Sequence, residues 1–521
     1  MRLDRLPEYF LSAVVTILGL VFALYAGSQI GSGNTRNLMM IGAGCAYILV
    51  GLLFKERIWI LAFLCWICTG RFLSTPLSLH DAAILLSFSW FLIFKAFKLI
   101  KNKPVHGWID VLVALNLIYV GTMFIRNPTG GLVLDSDIIG GRPYLSVAIA
   151  VLAYWVLVRA DLSPKLAGRL PYLWFLAFVL PTLFSIISFF VPALVMPLAR
   201  IYAGIDLVGE LNLSADEGST RLGFLGGIGA YLFLVLACKY RPSTIFNPIY
   251  FGRFLLMLLA CLMILLSGFR SVMISAGVML IMAGLYQGRK GELIKLAVIG
   301  VPILGLLIAM QGTLLQLPFP VQRSLSFLPG KWDERAVTDA EMSSEWRYEM
   351  WRWMWNEEKY LKNWWLGDGF GYSQEVLNQN LAAVARGDYS AVQEGFLITG
   401  RVHSGPLSAL RFSGYIGFAL FLLLSLAITR MAHRMVLRTR GTPYGFAVLV
   451  ICLPMITFLP FYIFVFGAYE IDLATLIFYV GVLKLLERSF NRYLEEKASE
   501  QLENAKEMPE LMDARPNLLA R

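Results

Sequence analysis

Three side chains that could take part in chemistry stand where an apolar chain becomes polar. His403 immediately precedes an apolar run, and imidazole can act as a base near neutral pH. Arg270 interrupts the apolar stretch 254–286, and Arg221 opens another apolar run. Guanidinium groups can grip a diphosphate with paired hydrogen bonds. This set predicts a proton transfer beside a bound anion, although each arginine could equally be a snorkelling turn residue or the partner of a nearby carboxylate.

The apolar stretch around Arg270 indicates where this arginine lies. As one helix, residues 254–286 would be about 50 Å long, whereas the apolar core of a bilayer is about 30 Å thick. The stretch therefore predicts two short spans with Arg270 at the turn between them. Arg221 opens its own span at the same membrane face.

The one extended polar region, 311–405, is rich in tryptophan. It contains seven of the thirteen tryptophans, namely Trp332, Trp346, Trp351, Trp353, Trp355, Trp364 and Trp365. A helix is predicted from Ser344 to about Lys362, followed by a turn-rich segment at 367–371. Aromatic rings next to Arg347 and Arg352 suit sugar binding, and they equally suit an amphipathic helix at the membrane interface.

Composition places the remaining elements in a membrane. The 521 residues are 58% hydrophobic and 15% charged, and the mean hydropathy is +0.66. About fourteen spans are predicted, with twelve as the alternative count. They cover approximately 9–30, 38–54, 58–73, 78–94, 109–125, 143–158, 170–190, 222–238, 254–268, 271–286, 293–310, 406–429, 443–466 and 471–486.

Lysine and arginine concentrate in alternate short loops, which predicts that both termini are cytoplasmic. The expected organisation has transmembrane helices about 1 to 11 over 1–310 and a large outer-face, periplasmic loop domain over 311–405. The last transmembrane helices follow over 406–486, and a charged cytoplasmic tail over 487–521. The net charge of +10 is spread over many loops, so nucleic acid is not an expected partner.

The six cysteines lie in apolar runs and indicate neither disulfides nor a zinc site. No glycine-rich phosphate loop is present either. Whether a cation binds at outer carboxylates is left open, the candidates being Asp135, Asp137, Asp206 and Glu210.

One spacing around the histidine carries a resemblance to a known family. A histidine, a small polar residue, nine further residues, and then two glycines three apart are found at His403, Ser404, Gly414 and Gly417. This pattern resembles that of the O-antigen ligase and polymerase superfamily of bacterial membrane glycosyltransferases. For a given histidine, composition alone would produce it about once in a few hundred tries.

Two further features support the resemblance, which covers about 220–425. The Ser-Gly-Phe-Arg-Ser segment at Arg270 is similar to the family's turn, although Phe269 replaces a smaller residue. The large outer loop precedes the histidine-bearing span and contains an Arg-aromatic helix followed by Leu-Gly-Asp-Gly-Phe-Gly at 366–371.

The resemblance implies an all-α polytopic membrane protein of GT-C-like architecture, with 12–14 spans, in the bacterial cytoplasmic (inner) membrane. Its expected activity belongs to cell-envelope polysaccharide biosynthesis, such as that of lipopolysaccharide. A glycan would pass from a polyprenyl (undecaprenyl) diphosphate to a hydroxyl of a lipid, glycan or protein acceptor on the outer face. The displacement would be inverting, without metal or other cofactor.

The resemblance also assigns roles to residues. His403 would be the catalytic base, and Arg221 and Arg270 would bind the donor diphosphate. Arg347, Arg352 and Trp351 would contact the glycan or donor. An exopolysaccharide polymerase with the same site is the nearest alternative. A transporter or flippase of lipid-linked sugars and a non-catalytic assembly partner are the others.

Overall fold

The structure is a computed structural model that describes residues 35–68, 70–72, 77–100, 104, 106–129, 138–194, 202–203 and 222–513. Throughout these residues the regular structure is overwhelmingly α-helical, so the predicted all-α class is confirmed. The first predicted span, 9–30, lies outside the described residues.

Up to residue 240, the described helices form the first part of the membrane region. They are α1 Thr35–Phe54, α2 Trp59–Leu64, α3 Leu79–Ala96, α4 Trp108–Arg126, α5 Arg142–Leu157, α6 Pro164–Phe190 and α7 Leu225–Lys239.

The helices that follow are separated by short turns. They are α8 Pro242–Ile245, α9 Phe251–Leu266, α10 Arg270–Tyr286 and α11 Lys290–Met310. The polar region contains α12 Phe319–Leu325, α13 Glu334–Asn356, α14 Gln374–Ala385 and α15 Tyr389–Thr399. The chain then enters α16 Gly405–Thr439, α17 Gly445–Phe464 and α18 Tyr469–Asp513.

Seven helices in the described part of the chain are long and apolar enough to cross a membrane. They are α3, α4, α6, α9 with its preceding turn, α11, α16 and α17. Three shorter apolar helices, α5, α7 and α10, accompany them. The chain is therefore a multi-pass membrane protein.

Several predicted boundaries differ from the structure. The span predicted at 58–73 is wrong, because α2 and the 3-10 turn Cys65–Ile67 that continues it have nine residues and extend only about 15 Å. The predicted helix Ser344–Lys362 begins ten residues earlier, at Glu334, where the Asp333 side chain caps the helix by accepting from the Arg335 backbone N–H. The break predicted between 268 and 271 is confirmed by the end of α9 at Leu266 and the start of α10 at Arg270.

Four two-residue strands join distant segments of the chain. β1 Arg71–Phe72 pairs with β3 Tyr202–Ala203, and β2 Ile138–Ile139 pairs with β4 Tyr372–Ser373, both antiparallel. The second pair attaches the polar region 311–405 to the segment that precedes α5.

The main core lies where α5 packs along α18 and α16 packs along α17. Buried aromatic residues fill it, among them Phe421, Tyr462, Tyr469 and Phe478. This packing sets the position and tilt of α16, and His403 lies two residues before its start at Gly405.

Candidate active site

His403 lies in the short turn between α15 and α16. Its φ is 53°, a left-handed conformation uncommon for a residue with a Cβ. The indole Nε1 of Trp351 donates a 2.7 Å hydrogen bond to the Val402 carbonyl and fixes one side of the turn. On the other side, a Cβ added at Gly405 would lie 2.2 Å from the Tyr462 carbonyl oxygen of α17. The surrounding structure therefore imposes the strained backbone of His403.

Aromatic rings surround the His403 imidazole. The ring centroids of Phe396, Phe466 and Trp346 lie 5.2, 5.4 and 6.0 Å from that of His403. Within the described residues, no hydrogen bond engages the imidazole nitrogens. The half-buried ring is thus oriented by packing, and its nitrogens are available to a substrate.

The protonation of His403 follows from this environment. Burial, followed by the positive charges of Arg347 and Arg401, lowers the pKa of His403 to about 4. The imidazole is therefore neutral at pH 7 and can accept a proton. An anion placed between the imidazole and the guanidinium groups would raise this pKa, because it would stabilise the protonated ring.

Arg270 begins α10 directly after the turn that ends α9. Gly268 in that turn has a φ of 71°, a conformation that glycine adopts readily. The Nη2 of Arg270 donates to the Ala340 carbonyl at 2.9 Å and to the Ser344 hydroxyl at 3.4 Å. Both acceptors belong to α13, so this helix fixes the direction of the Arg270 side chain.

Arg347 connects Arg270 to His403 electrostatically. Burial and then the charge of Arg270 lower the pKa of Arg347, whose own charge acts in turn on His403. Among the described residues, the charged group that acts on Arg347 is thus another cation and not a carboxylate. Repulsion between these half-buried cations would be relieved by an anion bound among them.

Arg323 is a supporting residue that the sequence reasoning missed. Its side chain is buried, donates from Nη1 to the Gly268 carbonyl at 2.8 Å, and forms an ion pair with Asp339 of α13. It thereby ties the turn before Arg270 to the helix that carries Arg347. Removing either contact would leave a buried charge without its partner, which is costly, so these contacts stabilise the arrangement.

Two residues predicted to contact the glycan or donor are placed differently from Arg347. Trp351 lies one turn after Arg347, but its indole N–H is already bonded to the Val402 carbonyl. Arg352 is exposed and lies about 140° around α13 from Arg347. The structure therefore brings Arg347 and Trp351 to His403, whereas Arg352 points away from it.

The two motif glycines shape the helix that follows His403. Gly414 has φ 60° and ψ −170°, which breaks α16, and a Cβ there would lie 2.4 Å from the Trp365 carbonyl carbon. At Gly417 a Cβ would lie 2.5 Å from a ring carbon of Tyr119. Both positions thus require glycine for close packing.

The break at Gly414 accommodates the turn-rich segment 366–371. The backbone N–H groups of Asp368 and Gly369 donate to the carbonyls of Arg411 and Phe412 at 3.0 and 2.9 Å. The N–H of Tyr415 donates to the Trp364 carbonyl at 2.8 Å. Backbone groups freed by the break are therefore paired with this segment.

A cavity of about 780 Å³ lies next to this segment. Glu394 and Ile398 of α15 line it, whereas Phe396, on the opposite face of the same helix, contacts His403. Arg126 and Arg411 also line it, and Arg411 pairs with Asp368 at 2.6 Å. The cavity and the imidazole are therefore on opposite sides of α15.

Some predicted residues lie outside the described residues. Arg221 is one of them, as are the four carboxylates considered for a cation, Asp135, Asp137, Asp206 and Glu210. The described part of the site is therefore Arg270, Arg347 and His403, gathered around α13.

The region that contains this site matches a known family. Residues 255–422 match the family model described as O-Antigen ligase. The match includes Arg270, Arg347, His403 and both motif glycines. No curated protein shows significant similarity to the chain.

The helical membrane architecture and the matched region support, in general terms, a membrane glycosyltransferase of the ligase and polymerase type. The chain carries an O-antigen ligase domain at 255–422, and its resemblance to the O-antigen ligase superfamily is confirmed. Lipid-linked glycans and their acceptors are the general substrates that this family implies.

Proposed function

We propose that the protein transfers a glycan from a polyprenyl diphosphate carrier to an acceptor hydroxyl at the outer face of the cytoplasmic membrane. The observation that carries the proposal is the grouping of Arg270, Arg347 and His403 around α13, where two guanidinium groups and a neutral imidazole share one environment. The guanidinium groups can bind the donor diphosphate, and the neutral imidazole can accept the proton of the acceptor hydroxyl.

The proposed reaction is one displacement. The acceptor oxygen attacks the anomeric carbon of the donor glycan as its proton passes to an imidazole nitrogen of His403. The bond between that carbon and the phosphate oxygen breaks, and the polyprenyl diphosphate departs with the bonding electron pair. Attack opposite to the leaving group inverts the anomeric centre. Arg270 and Arg347, with Arg221 as the third proposed contact, stabilise the charge that grows on the diphosphate.

Arg270→Gln is expected to lower kcat for glycan transfer about a hundredfold, because it removes a cation that stabilises the leaving diphosphate. The measurement is transfer by the purified protein from a polyprenyl diphosphate oligosaccharide, in the presence of EDTA. Arg386→Gln, at an exposed arginine of the polar region, is the matched control and should retain wild-type turnover. Equal turnover by both variants would reject the diphosphate-binding role. If EDTA abolished the activity of the wild type, the metal-independent mechanism would be rejected.

The pH dependence should differ between the free and the donor-bound enzyme. In the free enzyme the pKa of His403 is about 4, so kcat/KM should stay level from pH 7 down to about pH 5 and fall below that. Bound diphosphate raises the pKa, so kcat should decline at a higher pH than kcat/KM does.

Arg347→Gln tests this coupling, because removing the charge raises the pKa of His403 and moves the acidic limb of kcat/KM to higher pH. Full pH profiles of kcat/KM for the variant and the wild type would measure the shift. An unmoved limb would show that Arg347 does not act on the base.

The identity of the acceptor distinguishes a ligase from a polymerase. A ligase would transfer a finished glycan to a different lipid or protein, whereas a polymerase would extend one lipid-linked repeat unit with another. Supplying the donor alone, and then with lipid acceptors, distinguishes them by product length. Extension with donor alone would favour the polymerase alternative.

A further inference from the structure

A second cavity lies at the other end of α16, about 40 Å along the helix from His403. Its volume is about 640 Å³, and it opens between the start of α4, the end of α16 and the middle of α18. The basic side chains that line it are Arg430, Arg434, Arg438, Lys484, Arg488 and Arg492. A separation of this size exceeds the apolar core of a bilayer, so the cavity and His403 belong to opposite membrane faces.

The charge of this cavity is positive. Six lysine and arginine side chains line it, against the lining carboxylates Glu487 and Glu495 and the carboxylates of Asp110 and Asp161 that pair with two of the six. Three of the basic groups have a carboxylate within 4 Å: Lys484 binds Asp110, Arg492 binds Asp161, and Arg438 lies 3.9 Å from Glu487 and also donates to Asn491 Oδ1 at 2.9 Å. The other three leave an excess of positive charge.

Arg488 gives the strongest indication of a ligand. Its Nη1 donates to the Val158 carbonyl, but its Nε and Nη2 are buried and have no hydrogen-bond partner among the residues that the structure describes. Buried N–H groups are seldom left unpaired, so two unpaired guanidinium nitrogens at a basic cavity call for an anionic acceptor. Arg430 and Arg434 are exposed at the same cavity and can complete its coordination.

The rest of the lining identifies the kind of anion. Ile109, Val158, Met431 and Met435 provide an apolar surface beside the arginines. Trp108, at the first residue of α4, is 59% exposed and also lines the cavity, as expected for a side chain at the membrane interface. A phosphodiester attached to acyl chains fits both surfaces, whereas a free phosphate uses only the basic one.

We propose that this cavity binds the headgroup of an anionic phospholipid in the leaflet opposite to the glycan-transfer site, with the phosphate at Arg488, Arg434 and Arg430. The site is separate from the proposed donor site and does not depend on the proposed function. Because the positive-inside pattern predicts this face to be cytoplasmic, the ligand would come from the inner leaflet.

The test is lipid binding by the purified full-length protein with Arg430→Gln and Arg434→Gln combined. Both residues are exposed, so the substitutions should leave the fold intact. Phosphatidylglycerol retained by the protein would be counted by native mass spectrometry over a lipid titration. Binding should weaken about thirty-fold, corresponding to about 1 kcal/mol for each lost charge. The matched control is Arg169→Gln with Lys290→Gln, which removes two exposed charges that lie outside this cavity.

Two further ligands separate the possible sources of the anion. Phosphatidylethanolamine, which is zwitterionic, should bind weakly to the wild type and equally to the variant. If inorganic phosphate displaced phosphatidylglycerol at comparable concentration, the ligand would be a soluble phosphate and the lipid proposal would be overturned. Equal retention of phosphatidylglycerol by the variant and the control would also overturn it.

Discussion

His403→Ala is expected to reduce glycan transfer about a thousandfold, while the protein still inserts and folds. The loss would follow from removal of the group proposed to accept the proton of the acceptor hydroxyl, since general-base catalysis contributes about 10²- to 10⁴-fold. Turnover of the purified variant should be measured at saturating donor and acceptor, so that the effect appears in kcat. His403→Gln should be equally inactive, because an amide fills a similar volume but is not a base.

His433→Ala is the matched control for this loss. His433 lies on the same helix near its other end, where its Nδ1 is 2.7 Å from the Tyr286 hydroxyl. Its removal should leave kcat unchanged. If His403→Ala kept more than about a tenth of wild-type turnover, the assignment of His403 as the base would be wrong.

Gly414→Ala is expected to lower the free energy of unfolding by about 3 kcal/mol, because it combines two separate costs. The backbone at this position has φ 60°, and the added methyl group would lie 2.4 Å from the Trp365 carbonyl carbon and 2.5 Å from the Gly367 nitrogen. The turn segment 366–371 would have to move away from α16. Thermal unfolding in detergent and the yield of folded protein would measure the loss.

Gly277→Ala provides the comparison, since it makes the same chemical change in α10 at a position where the new Cβ would have no atom of another described element within 4 Å. Its stability should be unchanged or up to about 1 kcal/mol higher, because alanine favours helix. If the two alanine variants unfolded at the same temperature, the break at Gly414 would not be required by packing.

The features that the sequence predicted well are those determined by local chemistry. A stretch of 33 residues is too long for one span, so the turn at Arg270 could be predicted from length alone. The position of His403 directly before a helix could be predicted because a histidine before an apolar run is a local pattern, whereas its role as a base stays a prediction. The structure adds that Arg270 and His403 share an environment, which only the intervening α13 brings about.

The features that were missed depend on contacts between distant residues. In the sequence, Arg323 is one arginine in a proline-containing segment, with no pattern that distinguishes it. Its structural role depends on its contacts with the Gly268 carbonyl and Asp339. The break at Gly414 could not be predicted either, because an isolated glycine is tolerated in a helix and the turn that fills the gap is about fifty residues earlier. The short length of α2 could not be predicted for a similar reason, since an apolar run does not specify whether the chain crosses the bilayer or ends within the protein.

The support of the His403 turn by α17 affects when the site can form during biosynthesis. Gly405 packs against Tyr462 and Gly467, and the imidazole contacts Phe466, all of which are synthesised some sixty residues after His403. The ribosome and the insertion machinery must therefore deliver α17 before the histidine acquires its final geometry. If His403 is the base as proposed, a nascent chain that has translocated its polar region but lacks α17 would still be inactive. Activity would begin only when the last helices enter the membrane.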